Sequence, residues 1–124
     1  MAGLRLDTVV IFGVGLIGGS FALGLKAAGA AKRIVGLGRN PANLERALEL
    51  GVIDEACADP AAVAGADLVL IATPVGQMGA IMAAIAPHLR SGTVVTDGGS
   101  TKQDVVALAY RELGSRAAQF VPGH

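Results

Sequence analysis

The sequence predicts a doubly wound α/β domain built on a mostly parallel sheet, and three observations carry that prediction. Short runs rich in Val and Ile alternate with longer Ala- and Leu-rich runs. The short runs are continuously apolar, as strands buried on both faces are. A glycine cluster joins the first short run to the first long one. Alternating strands and helices place helices on both faces of a parallel sheet, joined by right-handed crossovers. A ligand is then expected at the carboxyl ends of the strands.

Each element follows from local signals. Thr8–Phe12 (TVVIF) reads as a buried strand, and Leu16–Ala28 as a helix ended by Gly29. Arg33–Leu37 (RIVGL) is a second strand. Pro41–Leu50 is a helix with Pro in its first turn and Gly51 past its end, and Leu44, Ala47, Leu48 and Leu50 supply its apolar side. Asp67–Ala72 (DLVLIA) is a third strand, followed by the break TPVG. Gln77–Leu89 is helical, with Pro87 close to its end. Thr93–Thr96 is a strand, DGGS the turn after it, and Thr101–Leu113 a helix stopped by Gly114. Ala118–Val121 starts one more strand. Residues 1–124 read as one domain, without repeats, linkers or low-complexity tracts.

Composition excludes several classes. Ten basic and ten acidic residues balance, so bulk charge attracts neither nucleic acid nor an anionic membrane. No apolar run reaches the length of a transmembrane helix, and no signal-peptide pattern is visible, so a cytoplasmic protein is expected. Cys57 is the single cysteine and reads as a small apolar filler; His88 reads as a surface residue. No metal site is expected.

Gly13-Val14-Gly15-Leu16-Ile17-Gly18 fits G-x-G-x-x-G, and it closes a strand and opens a helix. That is the fingerprint of a Rossmann-type NAD(P) site. Gly13 permits the tight turn, Gly15 lets a pyrophosphate approach the backbone, and Gly18 lets helix pack on strand. Free amides at the helix start, Leu16 and Ile17 among them, face the phosphates. The tip of the second strand chooses the dinucleotide. An NAD site places an acid there, but this chain reads Gly38-Arg39-Asn40. A missing carboxylate removes repulsion against a 2′-phosphate, and an arginine can grip that phosphate. NADP is therefore favoured over NAD.

The chain resembles the nucleotide-binding domain of the prephenate and arogenate dehydrogenases of tyrosine biosynthesis. GVGLIGGS at 13–20, LGVIDEA at 50–56, DLVLIATPV at 67–75, TDGGSTK at 96–102 and the closing VPGH carry the resemblance. It implies oxidative decarboxylation of prephenate or arogenate, with hydride passing to the nicotinamide. It identifies His124 as the base that accepts the ring hydroxyl's proton, which suits the pKa of histidine. It identifies Ser100 as the group that aligns that hydroxyl, although Ser100-Thr101-Lys102-Gln103 also fits a capping box. Ala72, Thr73, Pro74 and Val75 are implied to line nicotinamide and ribose, and Gly99 to lie beside the cofactor. Thr73 as a helix cap with Pro74 at the first helical position is the plain structural alternative. Asp54 and Glu55 receive no chemistry. Family members continue for well over a hundred residues into a helical domain that forms a homodimer and supplies arginines for the substrate carboxylates. The chain is therefore expected to be the N-terminal domain of a longer enzyme, inactive by itself. Two other readings share the glycine turn: a non-catalytic NAD(P)-binding or redox-sensing module, and an NADP enzyme of the 6-phosphogluconate or hydroxyacid type.

Overall fold

The computed structural model describes residues 6–98 and 102–122. Its strands are β1 (Leu6–Phe12), β2 (Ala31–Leu37), β3 (Glu55–Ala56), β4 (Leu68–Ile71), β5 (Val94–Asp97) and β6 (Phe120–Val121). They form one sheet in the order β3-β2-β1-β4-β5-β6, and every pair is parallel. The helices are α1 (Leu16–Ala27), α2 (Pro41–Glu49), α3 (Val75–Ile85) and α4 (Lys102–Glu112). This is the doubly wound order expected of a parallel α/β domain.

The continuous apolar strands serve two cores. Side chains alternate across a strand, so Val9 and Ile11 of β1 pack with Ala22 of α1, Ala47 of α2 and Ile34 of β2. Val10 and Phe12 pack on the other face with Met78, Met82 and Ile85 of α3 and Ala109 of α4. Truncating Ile11, which is fully buried, to Ala should cost about 2–5 kcal/mol.

The amino edge of the sheet is tied shut by side chains. The Asp67 carboxylate accepts from the amides of Asp7 (2.8 Å) and Thr8 (3.2 Å) and pairs with Arg90. Thr93 Oγ1 donates to the Ala66 carbonyl at 2.7 Å. Gln119 Nε2 donates to the carbonyls of Arg90 (2.8 Å) and Thr93 (2.7 Å), which anchors the approach to β6. The Asp7 and Thr8 amides, together with the Arg90 charge, hold the Asp67 carboxyl below its ordinary 3.8 against the opposing effect of burial.

Several elements depart from the sequence reading. Helix α3 begins at Val75, and its last turn, Ala86–His88 around Pro87, is 3₁₀. Helix α2 presents Ala47 and Leu44 to the core, while Leu48 and Leu50 are exposed, because α2 meets the sheet along a narrow stripe. The last strand is only Phe120–Val121, since 114–119 wind into a 3₁₀ turn. The segment after Gly51, for which the pattern predicts no element, holds β3 and a 3₁₀ turn over Pro60–Gly65, started by Asp59 Oδ1 accepting from the Ala61 amide at 3.0 Å.

Asp54, given no chemistry, is a clamp. It accepts from Lys26 Nζ of α1 and from the Ile34 amide of β2, both at 2.8 Å. Burial pushes its carboxyl upward, but Lys26, the Ile34 amide and the Arg33 charge outweigh that and lower it. Beside it, Ile53 is buried against β2 at Gly36, where a Cβ would come within 2.8 Å of Ile53 Cδ1 and of Val14 Cγ2. The family-like GVIDEA stretch therefore locks the second crossover onto the sheet.

Candidate functional site

With its amino edge tied, the sheet opens at the carboxyl edge. Helix α1 leaves β1 toward one face and α3 leaves β4 toward the other, so the chain parts between these neighbouring strands. A cleft of about 740 Å³ lies there. Such a switch point is where open α/β sheets bind ligands.

The glycine turn forms one wall. The Gly13 amide donates to the Leu37 carbonyl at 2.8 Å, and its φ of +84° is left-handed backbone that favours glycine. A Cβ there would also come within 2.9 Å of Thr73 Cγ2. Gly15 is the N-cap of α1; a Cβ on it would meet nothing within 4 Å. Among the described residues no side chain caps α1, and no acidic residue stands in its first turn. Its positive end therefore opens onto the cleft without an internal anion.

Helix α2 is the opposite case. Asn40 Oδ1 accepts from the amides of Ala42 (3.0 Å) and Asn43 (3.4 Å), so this helix start is satisfied within the chain. Gly38, Arg39 and Asn40 line the cleft beside it. Arg39 is the one charged residue among the described lining residues, and no carboxylate is among them.

Ala72, Thr73 and Pro74, next to the glycine turn, also line the cleft. Thr73 does not cap α3, because the N-cap position belongs to Pro74 and the helix starts one residue later. Thr73 Oγ1 is instead buried with no hydrogen-bond partner among the described residues. A buried unpaired hydroxyl costs about 1–3 kcal/mol, and a bound polar ligand would relieve it. Next along the edge, the Gly98 amide donates to the Ile71 carbonyl at 2.9 Å, and Asp97 at the end of β5 is buried.

The predicted residues thus divide into three groups. Gly13, Gly15, Gly38, Arg39, Asn40, Ala72, Thr73 and Pro74 come together on the cleft. Leu16 and Ile17 lie in the first turn of α1, Gly18 is buried behind the glycine turn, and Val75 lines a separate groove between α3 and α4. Val75 opens α3, and successive residues of a helix point in different directions, so Gly76 and Gln77 line the cleft in its place. Gly99, Ser100 and His124 lie outside the described residues, as does Thr101 of the predicted capping box.

Sequence reasoning missed Asn43 and Leu44 of α2 and the wall formed by Cys57, Ala58 and Pro60. That wall belongs to a loop without periodic pattern. Cys57 packs against the core as expected, but it also lines the cleft, and its Sγ accepts from the Asp59 amide at 3.5 Å. His88 is exposed, as expected. Among the described residues no cluster of His, Cys, Asp or Glu could hold a metal ion, and no helix is long and apolar enough to cross a membrane.

Comparison with known proteins adds an independent line. Residues 21–124 match the family model described as prephenate dehydrogenase, nucleotide-binding domain. The chain is 43% identical over 120 residues to a prephenate dehydrogenase of Bacillus subtilis, covering 95% of this chain and 32% of that protein. It is 34% identical to a cyclohexadienyl dehydrogenase of Zymomonas mobilis, covering 94% of this chain and 39% of that protein. The fold is similar to a crystal structure of prephenate dehydrogenase from Aquifex aeolicus in complex with hydroxyphenyl propionate and NAD+, with a TM-score of 0.87, 35% identity, and coverage of 98% of this chain and 42% of that one. It is also similar to a Synechocystis arogenate dehydrogenase, with a TM-score of 0.82, 28% identity, and coverage of 94% of this chain and 40% of that one. The chain spans between 32% and 39% of the length of these sequence relatives.

Proposed function

Because the chain belongs to the prephenate dehydrogenase family, matched over that family's nucleotide-binding domain, we propose that it supplies the dinucleotide-binding part of an oxidoreductase that decarboxylates prephenate or arogenate. One observation carries the reading. Among the described residues, an uncapped helix start, a bare Gly15 and a Thr73 hydroxyl without a partner converge on one cleft at the switch point of the sheet. A pyrophosphate fits the first two, since backbone amides and the helix dipole favour an anion there. The cofactor is NADP in preference to NAD: Arg39 brings a positive charge to the cleft, and no carboxylate among the described lining residues opposes a 2′-phosphate.

When bound, the dinucleotide supplies the hydride acceptor. The chain's own residues hold and orient it: Gly13, Gly15, Leu16 and Ile17 at the phosphates, with Gly18 letting α1 pack behind them, Gly38, Arg39 and Asn40 at the adenosine ribose, and Ala72, Thr73, Pro74 and Gly99 along the nicotinamide half, where Gly76 and Gln77 take the place expected of Val75. His124 accepts the proton of the ring hydroxyl, as a neutral imidazole can near pH 7. Ser100 hydrogen-bonds that hydroxyl and aligns it. Residues 1–124 form the dinucleotide-binding domain. The arginines that hold the substrate carboxylates, and the homodimer contact, belong to the remainder of a longer protein.

The test has two parts. NADP and NAD are titrated separately against this chain and against Arg39→Ala. NADP should bind more tightly, and the substitution should narrow the gap by about 1.5–3 kcal/mol. The full-length enzyme is then assayed with prephenate and with arogenate. Turnover of neither substrate would defeat the proposal.

A further inference from the structure

We propose that Asn43, on the first turn of α2, is a second determinant of dinucleotide choice and forms with Arg39 a two-point seat for the ribose 2′-phosphate. The inference rests on the NADP reading above and deepens it. Arg39 and Asn43 both line the cleft and both are exposed. Among the described residues, neither the Arg39 guanidinium nor the Asn43 carboxamide has a hydrogen-bond or ion-pair partner.

Asn40, which lies between them in the sequence and lines the same cleft, explains why side chains must do the holding. Asn40 Oδ1 already takes the amides of Ala42 and Asn43, at 3.0 and 3.4 Å, so those two amides are not free for an incoming anion. The same contacts fix the first turn of α2 relative to Arg39. Gly38 leaves the space open, since a Cβ there would meet only Leu44, at 3.8 Å. A carboxamide offers two N–H donors, and a guanidinium offers a planar fork. Together they match the oxygens of a phosphate dianion, and no carboxylate among the described lining residues competes. A 2′-hydroxyl gains less from the pair, because it is uncharged and has no anionic oxygen to offer the guanidinium.

The experiment measures NADP and NAD dissociation constants for wild type, Arg39→Ala, Asn43→Ala and Asn43→Asp, with a thermal unfolding curve for each. Asn43→Asp keeps the side-chain size and places an acid in the first turn of a helix, which favours the helix. Its unfolding midpoint should therefore hold or rise. Its NADP affinity should fall by roughly a hundredfold, because a carboxylate now faces the phosphate. Asn43→Ala should weaken NADP by about tenfold, and NAD should change less than NADP in every variant. If Asn43→Ala leaves the ratio of the two affinities unchanged while Arg39→Ala lowers it, the Asn43 assignment is wrong and the NADP reading stands. If wild type binds NAD as tightly as NADP and Arg39→Ala makes no difference, the NADP reading fails and this inference fails with it. A parallel loss of both affinities with a lowered midpoint in Asn43→Asp would make Asn43 a structural helix residue and overturn the proposal.

Discussion

A Cβ on Gly18 would collide with the carbonyl oxygen of Gly13, and it would also come within 3.1 Å of Ile11 Cγ2. The first and last glycines of the fingerprint are thus in direct register, one bending the chain and the other letting α1 close over the bend. Gly15 has no such neighbour. Gly18→Ala should therefore destabilise the fold by about 1–3 kcal/mol through overpacking, less whatever the better helix former returns. Gly15→Ala should leave the unfolding midpoint nearly unchanged and weaken dinucleotide binding instead. Unfolding curves and titrations of both variants test this division; equal midpoints would contradict it.

On the proposed NADP preference, Gly38→Asp should exchange the cofactor. The new side chain meets only Leu44, at ordinary contact distance, so the fold should tolerate it. Its carboxylate would accept from a ribose 2′-hydroxyl and repel a 2′-phosphate. NADP affinity should fall by at least about tenfold and NAD affinity should rise. Binding of the two dinucleotides, measured side by side, checks the exchange.

Asn40→Ala should act mainly on stability. Loss of the α2 cap is expected to cost about 1 kcal/mol, and Asn40→Asp, which keeps the capping oxygen, should restore it. A lowered unfolding midpoint in the alanine variant alone is the expected pattern.

Acid should loosen the amino edge of the sheet through Asp67. Its carboxyl is held below 3.8, first by the Asp7 and Thr8 amides. A depressed carboxyl contributes stability that is fully present at neutral pH and is lost as pH falls below about 4, through the folded-state value. Asp67→Asn should cost about 1–2 kcal/mol at pH 7 and flatten the stability profile on that acid limb. The Arg90 partner is half exposed, so most of the loss comes from the amides and little of it responds to salt. Denaturant titrations at several pH values measure both.

If His124 is the base proposed above, His124→Asn in the full-length enzyme should lower turnover by about 100- to 10,000-fold with little change in dinucleotide affinity, because asparagine stays polar but cannot take a proton. Ser100→Ala should slow the reaction less, since it removes alignment only. Steady-state rates on both substrates, beside dinucleotide titration, separate these effects.

The β1–glycine–α1 unit was legible in the sequence because its physics is local. A continuous apolar run, a G-x-G-x-x-G turn and a helix with a glycine past its end need no distant partner to be recognised. The resemblance in GVIDEA and DGGSTK was visible as well, but not what GVIDEA does. Strand β3 is two exposed residues, and it exists because Asp54 reaches Lys26 and the Ile34 amide, 28 and 20 residues away. Tertiary structure also decided that Leu48 and Leu50 face outward, that Thr73 does not cap α3 and its hydroxyl finds no partner among the described residues, and that Asn43 and Cys57 line one cleft with Arg39. Each of those depends on how a segment packs against parts of the chain distant in sequence. Local propensity and pattern hold no record of that, because such contacts are set by the parallel crossovers that bring residues far apart in the chain to one edge of the sheet.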